Sequence, residues 1–439
     1  MRRHTARHHS RQSAALVLVL LASCTEITSL AQNNPGSLSG TTLYVPANSQ
    51  LIANGAIADF ECAYARYVVG SGLFSDELSV AIASNANFDY DARRMTTDAT
   101  YGTNHCGATP SALQQPGIYT PLSTARATAD TAAARSESFS AADVPNRQKL
   151  VGQTSASAGY RLILLGEGMC SAAINLGPEL SPAQLFAEAK IRFDKAITNA
   201  TAANDTVTLN LARVGRARTL LNLGGAANLA SAATDAAQVP ATFLANTSAD
   251  PINARRQNAL FLAIAQSSFS TVDTAFRNVL LPDGSTPDPR ARVTDLARNG
   301  TATGSRIFVP VKAATNATPM RIASYAEAQL IIAENAAATG DLPGAVTAIN
   351  AARARTPGVP AYALPGGATA ADVKTQIIEE RRRELSFEGH RLGDLRRYAL
   401  PFLPAAGAAY RYGGTYGSLK CFPLPDVERI NNPTIATGN

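Results

Sequence analysis

Tryptophan is absent from this 439-residue chain, and aromatic residues make up only 6% of it. A broad platform of stacked indoles is therefore excluded, although Tyr can serve at single positions. Histidine is nearly as scarce: His4, His8 and His9 crowd the start, leaving His105 and His390 isolated. With no Cys-x-x-Cys pair beside them, no zinc-type ligand spacing exists. No Gly-x-Ser-x-Gly or phosphate-loop spacing stands out either. The expectation is a protein without metal, cofactor or catalytic residues. The formal charge of +6 is also less than it looks. Arg2, Arg3, Arg7 and Arg11 lie in the first eleven residues, and without them 35 basic residues face 33 acidic ones. That balance gives no footprint for nucleic acid.

Long apolar runs are missing too. The one clear run, Ala14 to Ala22, follows an Arg/His-rich start and is too short to span a bilayer. Both features fit a secretion signal. The run ends in Leu21-Ala22-Ser23-Cys24, which resembles the bacterial lipobox. Residues 1–23 are read as a lipoprotein signal peptide, with Cys24 as the lipidated new N-terminus. Residues 24–50 then form a tether to the membrane. Two or three acyl chains would hold the protein stably, where one is marginal.

Four cysteines remain: Cys62, Cys106, Cys170 and Cys421. An even number in an exported chain suggests disulfides, with three connectivities open. The expected pairing is Cys62–Cys106 and Cys170–Cys421, the second tying the tail to the body; four buried thiols are the alternative.

What the chain has in abundance is alanine in helical rhythm. Helical patterns run from Ser49 to about Val69 and over about 119–137, 146–172, 181–199, 205–223 and 226–237. Two stretches look like one repeat. Gly215, Ala217, Ala230 and Ala233 flank the Gly224-Gly225 break, and Ala328, Ala345 and Ala348 flank Gly340. Small residues at such spacings let paired antiparallel helices nest, as in tetratricopeptide repeats. Residues 238–318 interrupt this rhythm with Pro240, Pro251, Pro282, Pro287, Pro289 and Pro310. Only 255–278 could be helical there, and Arg306 to Lys312 reads as a short strand. The 399–439 tail is irregular.

The segment Ile377 to Tyr398 concentrates charge, with six arginines and five acidic residues around a Glu388-Gly389-His390-Arg391 break. Glu379 with Arg383, and Glu388 with Arg391, can each meet on one helix face. Ile378, Leu385, Leu392 and Leu395 give an apolar stripe beside them. Arginines so close would hold the carboxylates ionised, so the segment reads as an ion-paired brace and not as acid–base machinery. Gly389 is expected to end or kink the helix.

Glu380-Arg-Arg-Arg-Glu-Leu-Ser-Phe-Glu-Gly-His-Arg391, followed by Asp394-Leu-Arg-Arg397, resembles the C-terminal signature of the SusD/RagB family. Glu380, Arg381, Glu384, Leu385, Phe387, Glu388, Gly389, Arg391, Asp394 and Leu395 carry it. Asp288-Pro-Arg290, the 321–355 helix pair and the closing Cys421-Phe-Pro-Leu-Pro425 segment resemble the family as well, though Leu392-Gly393 stands where it often has Trp or Tyr. The resemblance implies an all-α fold of tetratricopeptide-like helix pairs with a loop-rich region packed against them. It would fill 51–439, with repeats at about 119–237 and 321–398. It also implies a non-catalytic lipoprotein at the outer membrane, facing the cell exterior. Such a protein would capture oligosaccharides, or peptides, for a SusC-like TonB-dependent barrel. A membrane-anchored helical-repeat scaffold for protein partners is the alternative. No motif anchors the ligand site. Candidate rim residues lie in the loops near 71–117, namely Asp76, Glu77, Tyr90, Arg93, Arg94, Tyr101 and Asn104, and in the irregular insertion at about 238–318.

Overall fold

Capping residues open half of the ten longer helices that build the body. The computed structural model describes residues 40–82, 85–106, 116–300 and 304–436. The signal segment, Cys24 and most of the tether lie outside the described residues. Gly40–Leu43 and Pro46–Asn48 form two short turns by themselves. Everything from Ser49 onward belongs to one compact unit.

That unit is helical. The longer helices are α1 (Ser49–Phe74), α2 (Tyr119–Ser138), α3 (Arg147–Gly168), α4 (Pro182–Ala202), α5 (Thr206–Leu223) and α6 (Ala226–Ala237). After the irregular region come α7 (Tyr325–Ala338), α8 (Leu342–Arg353), α9 (Ala370–Glu384) and the short α10 (Arg391–Arg397). Capping boxes start α4 at Ser181/Gln184 and α9 at Thr369/Asp372, each satisfying two otherwise orphaned groups. Asp205 and Asp341 cap α5 and α8. Helices α2 to α6 pack in sequence, and α7 pairs with α8, the antiparallel arrangement of tetratricopeptide-like pairs.

Small residues set how closely these helices approach. Phe193 of α4 sits fully buried between Gly159 of α3 and Gly215 of α5. A methyl group on Gly215 would lie 2.3 Å from that ring. In α8, Ala345 and Ala348 face inward as the repeat pattern predicts. In α6 the register differs: Ala230 is exposed and Ala233 half-buried, while Ala232 and Ala236 are inside. The reason is Asp235, turned inward to accept hydrogen bonds of 2.7 and 2.6 Å from Arg216.

The irregular region is tied down by short antiparallel strands. β1 (Leu78–Val80) pairs with β3 (Ser270–Val272), β2 (Leu244–Asn246) with β6 (Arg321–Ser324), and β4 (Val293–Asn299) with β5 (Arg306–Pro310). Thr271 joins two of these pairs: its hydroxyl accepts from Phe308 N–H and donates to the Arg306 carbonyl. The stretch 255–278 is not one helix. It divides into Ala259–Phe261, a widened turn Leu262–Gln266, β3 and Thr274–Arg277. Ser268 in the left-handed region (φ 54°) breaks the run, and pairing with β1 takes up the backbone that a helix would have used.

Cys62 bonds to Cys106 and Cys170 to Cys421. The second bond spans 251 positions and fixes the tail beside the end of α3. There Phe422 N–H donates to the Gly168 carbonyl, and its ring packs on Phe74, Tyr90 and Tyr101.

Candidate functional site

The charged segment is built as three buried clusters. In the first, Glu380 is 1% exposed and accepts from Arg290 and Arg353, each at 2.5 Å. Asp288 holds Arg290 from its other side. Burial pushes the Glu380 carboxyl up, but the two guanidinium groups outweigh it and keep it below the ordinary range. In the second, Arg321 donates to Glu384 at 2.9 Å and to Glu388 at 2.7 Å, and Lys312 reaches Glu388 at 2.8 Å. In the third, Arg381 donates to Asp394 at 2.9 Å. Burial makes unpaired charges costly, so each of these carboxylates is matched.

Three expectations here are corrected. Glu379 does meet Arg383, at 2.7 Å, but Glu388 does not meet Arg391. Arg391 forks onto Asp76 with two bonds of 2.6 Å. The helix also ends at Glu384, before Gly389, because Phe387 already adopts a left-handed conformation (φ 61°). That strain is held by Phe387 N–H donating to Glu77 at 2.6 Å and by the ring packing edge-on against Phe276. Gly389 adds a second left-handed residue, close against Tyr67. Leu385, Leu392 and Leu395 are buried, but Ile377, not Ile378, is the helix's core residue.

Most of the proposed rim residues hold the fold together. Asp76 pairs with Arg391, and Glu77 is 1% exposed, its carboxyl pushed up to about 8 by burial. Tyr90 and Tyr101 are buried and donate to the Pro116 and Pro423 carbonyls. Arg93 is buried against the Leu403 and Pro404 carbonyls. Asn104 is half-buried, its carbonyl close against Gly117. Only Arg94 keeps a substantially open side chain, at 32%. A loop on a helical body must bury polar groups somewhere, and these residues supply them.

A different surface forms where segments that are distant in sequence converge: 88–94, 273–300 with 304–308, and 402–416. Phe88 stacks on Tyr412 with centroids 4.7 Å apart, and Tyr410 stands edge-on to both Tyr412 and Tyr416. Guanidinium groups lie over the rings: Arg93 on Tyr416, Arg94 on Tyr410, Arg277 on Phe308 and Arg411 on Tyr412, at 4.6–5.3 Å. Beneath them Asp91 is buried, accepting from Val80 N–H, Tyr410 and Arg411. Burial pushes its carboxyl up to about 6 against those donors. The loop regions expected to hold the ligand site, near 71–117 and 238–318, contain Phe88, Arg277 and Phe308, although none was singled out; Arg411 and Tyr412 lie outside both regions. The alternation Tyr410-Arg411-Tyr412 was the one available signal, and only folding joins it to Phe88 and Phe308.

Among the described residues no His/Cys/Asp/Glu group could hold a metal ion, and no helix is long and apolar enough to cross a membrane. A cavity of about 410 Å³ beside α9 is lined by Arg290, Arg353 and Arg383. Its arginines are already engaged by Glu380, Asp288 and Glu379.

Residues 310–431, which contain the second and third clusters, match the profile of the SusD family. The likeness in fold extends well beyond that span. A SusD superfamily protein from Bacteroides vulgatus is 17% identical, with a TM-score of 0.62 over 89% of this chain and 98% of its own. A laminarin-binding SusD-like protein is 16% identical, with a TM-score of 0.62 over 88% and 98%. Surface glycan-binding protein A from Bacteroides fluxus is 16% identical, with a TM-score of 0.63 over 87% and 96%. At such identities the shared property is the SusD-like fold. No curated protein matches the chain.

Proposed function

We propose that this protein is a SusD-family, non-catalytic binding protein for oligosaccharides, and that the loop–tail surface around Phe88, Phe308 and Tyr412 is where they bind. The observation that carries this reading is the convergence of half-buried rings and partly open arginines away from the ion-paired body. Rings offer faces to the C–H side of a sugar and guanidinium N–H groups donate to hydroxyls. Similar folds named for laminarin or glycan binding support the ligand class. The lipobox-like Leu21-Ala22-Ser23-Cys24 supports an acylated Cys24, a tether over 24–50 and residence at the outer membrane facing outward. The match to the SusD family supports delivery of the bound glycan to a SusC-like TonB-dependent barrel.

Calorimetric titration of the full chain in detergent with a panel of oligosaccharides and short peptides tests the ligand class. Saturable binding of an oligosaccharide, weakened by Tyr412→Ala, is the expected result. Binding of peptides alone, or of neither class, overturns the proposal. Cross-linking in native outer membrane should recover a TonB-dependent barrel, and labelled fatty acid should appear on Cys24.

A further inference from the structure

From the arrangement of its arginines, we infer that this surface takes acidic oligosaccharides, chains bearing uronate carboxylates or sulfate esters, in preference to neutral ones. The inference rests on the glycan-binding reading above and names its substrate class.

A neutral glycan gains most from open ring faces, and here a guanidinium lies over each of Phe308, Tyr410, Tyr412 and Tyr416, leaving fewer faces free. The guanidinium groups of Arg277 and Arg411 lie 4.6 and 4.7 Å from the centroids of Phe308 and Tyr412, and Phe88 also stacks on Tyr412. Arg93 and Arg94 similarly cover Tyr416 and Tyr410. What the surface offers outward is planar cations.

Those cations retain donor capacity. A guanidinium carries five N–H groups. Among the described residues, Arg277 donates only its Nε, to the Val272 carbonyl at 2.8 Å. Arg411 donates Nη2 to the Val80 carbonyl and Asp91, and Arg94 donates Nη1 to the Gly413 carbonyl. None of the three has a carboxylate gripping both arms of its fork. The side chains of Arg411 and Arg94 are 37% and 32% exposed, so the remaining N–H groups can reach a ligand.

The neighbouring carboxylates are otherwise engaged. Asp91 is buried under Val80 N–H and Tyr410, Asp273 caps Ala275 N–H, and Asp295 grips Arg306. Asp89 stands 3.9 Å from Arg94. Arg277 and Arg411 are near enough that each charge disfavours the other. Burial lowers the Arg277 guanidinium most; the Asp273 carboxylate opposes that, and Arg411 adds to it. An anion between them would relieve that repulsion, and a flat fork matches carboxylate and sulfate oxygens in pairs.

Calorimetry on the full chain in detergent decides this, with oligogalacturonate and chondroitin sulfate oligosaccharides set against laminari- and malto-oligosaccharides of equal length. The acidic chains are expected to bind roughly ten-fold tighter at about 50 mM salt and to lose most of that margin at about 300 mM, because exposed charges are screened. Arg277→Gln and Arg411→Gln should each weaken acidic binding about five-fold and neutral binding by less than about two-fold, and Arg277→Gln, which breaks no ion pair, should leave the melting temperature nearly unchanged. Arg277→Gln is the cleaner probe, since Arg411 also supports Asp91. If neutral chains bind equally well, the acidic preference is wrong and the glycan reading stands. If no oligosaccharide binds, both fall. Poly-glutamate binding as tightly as oligogalacturonate, or unaffected acidic binding in both variants, would likewise sink the inference.

Discussion

Around the 370–398 segment arginines meet carboxylates, whereas around the 402–416 tail they lie on rings and carbonyls. The first set is enclosed: Arg290, Arg381 and Glu380 are at most 4% exposed. The second set is partly open. The contrast follows from dielectric. Within these enclosed clusters a guanidinium or carboxylate left unmatched would cost several kcal/mol, so their charges are matched and their geometry fixed. At the tail, water can share the solvation of a guanidinium, so a ring and one carbonyl are enough and N–H groups are left over. The same residue type is structural in one place and available for a ligand in the other.

The sharpest way to break that contrast is to remove a charge from the enclosed set. Glu380→Ala leaves Arg290 and Arg353 facing each other and should cost about 3–5 kcal/mol in denaturant unfolding. A cost near that of an exposed substitution would mean the cluster is wetter than its burial indicates.

A smaller effect separates the tail from the body. Replacing both Cys170 and Cys421 by Ser removes the bond that ties the tail to α3, and about 2–4 kcal/mol of stability should go with it. Because Tyr410, Tyr412 and Tyr416 ride on that tail, oligosaccharide binding should weaken more than in Cys62→Ser/Cys106→Ser. Equal weakening in both variants would show that the surface does not depend on the tail.

The smallest effect is a pH slope. Glu77 has an ordinary carboxyl value of 4.5, raised to about 8 in the fold by burial. Between those values the unfolded chain ionises Glu77 while the folded chain keeps it protonated, so stability falls as pH rises. Glu327, raised to about 7, and Asp91, raised to about 6, act in the same direction. Asp288, held near 2, opposes them only in acid, and His390, whose imidazole burial and nearby cations hold well below its ordinary 6.5, opposes them below about that pH, so that the drop is steepest above it. Melting temperature should therefore drop from about pH 5 to about pH 8, and Glu77→Gln should flatten part of that drop. An unchanged slope in the variant would remove Glu77 from the account.

Much of the helical body was legible because its signals are local. Ser181 with Gln184, Asp205, the Gly224-Gly225 break and Gly340 mark helix ends within a few residues of where they fall. The alanine rhythm pointed to paired helices, although the face of α6 was misassigned because Asp235 answers to Arg216 on α5. Apart from the Cys170–Cys421 bond, residues whose partners lie far along the chain were misread. Arg391 chose Asp76 over Glu388, and Tyr90, Arg93 and Tyr101, which read as loop residues, are interior struts.

By itself the sequence determined the helices, their caps and the charged signature that belongs to the SusD family, since each is written in neighbours a few residues apart. Only the tertiary structure decided which arginines are enclosed by carboxylates and which remain open. That outcome depends on burial and on partners up to about three hundred positions away, such as Arg391 with Asp76 at a separation of 315. The candidate ligand surface joins Phe88, Phe308 and Tyr412 through strand pairing and a disulfide, and no local pattern encodes that meeting.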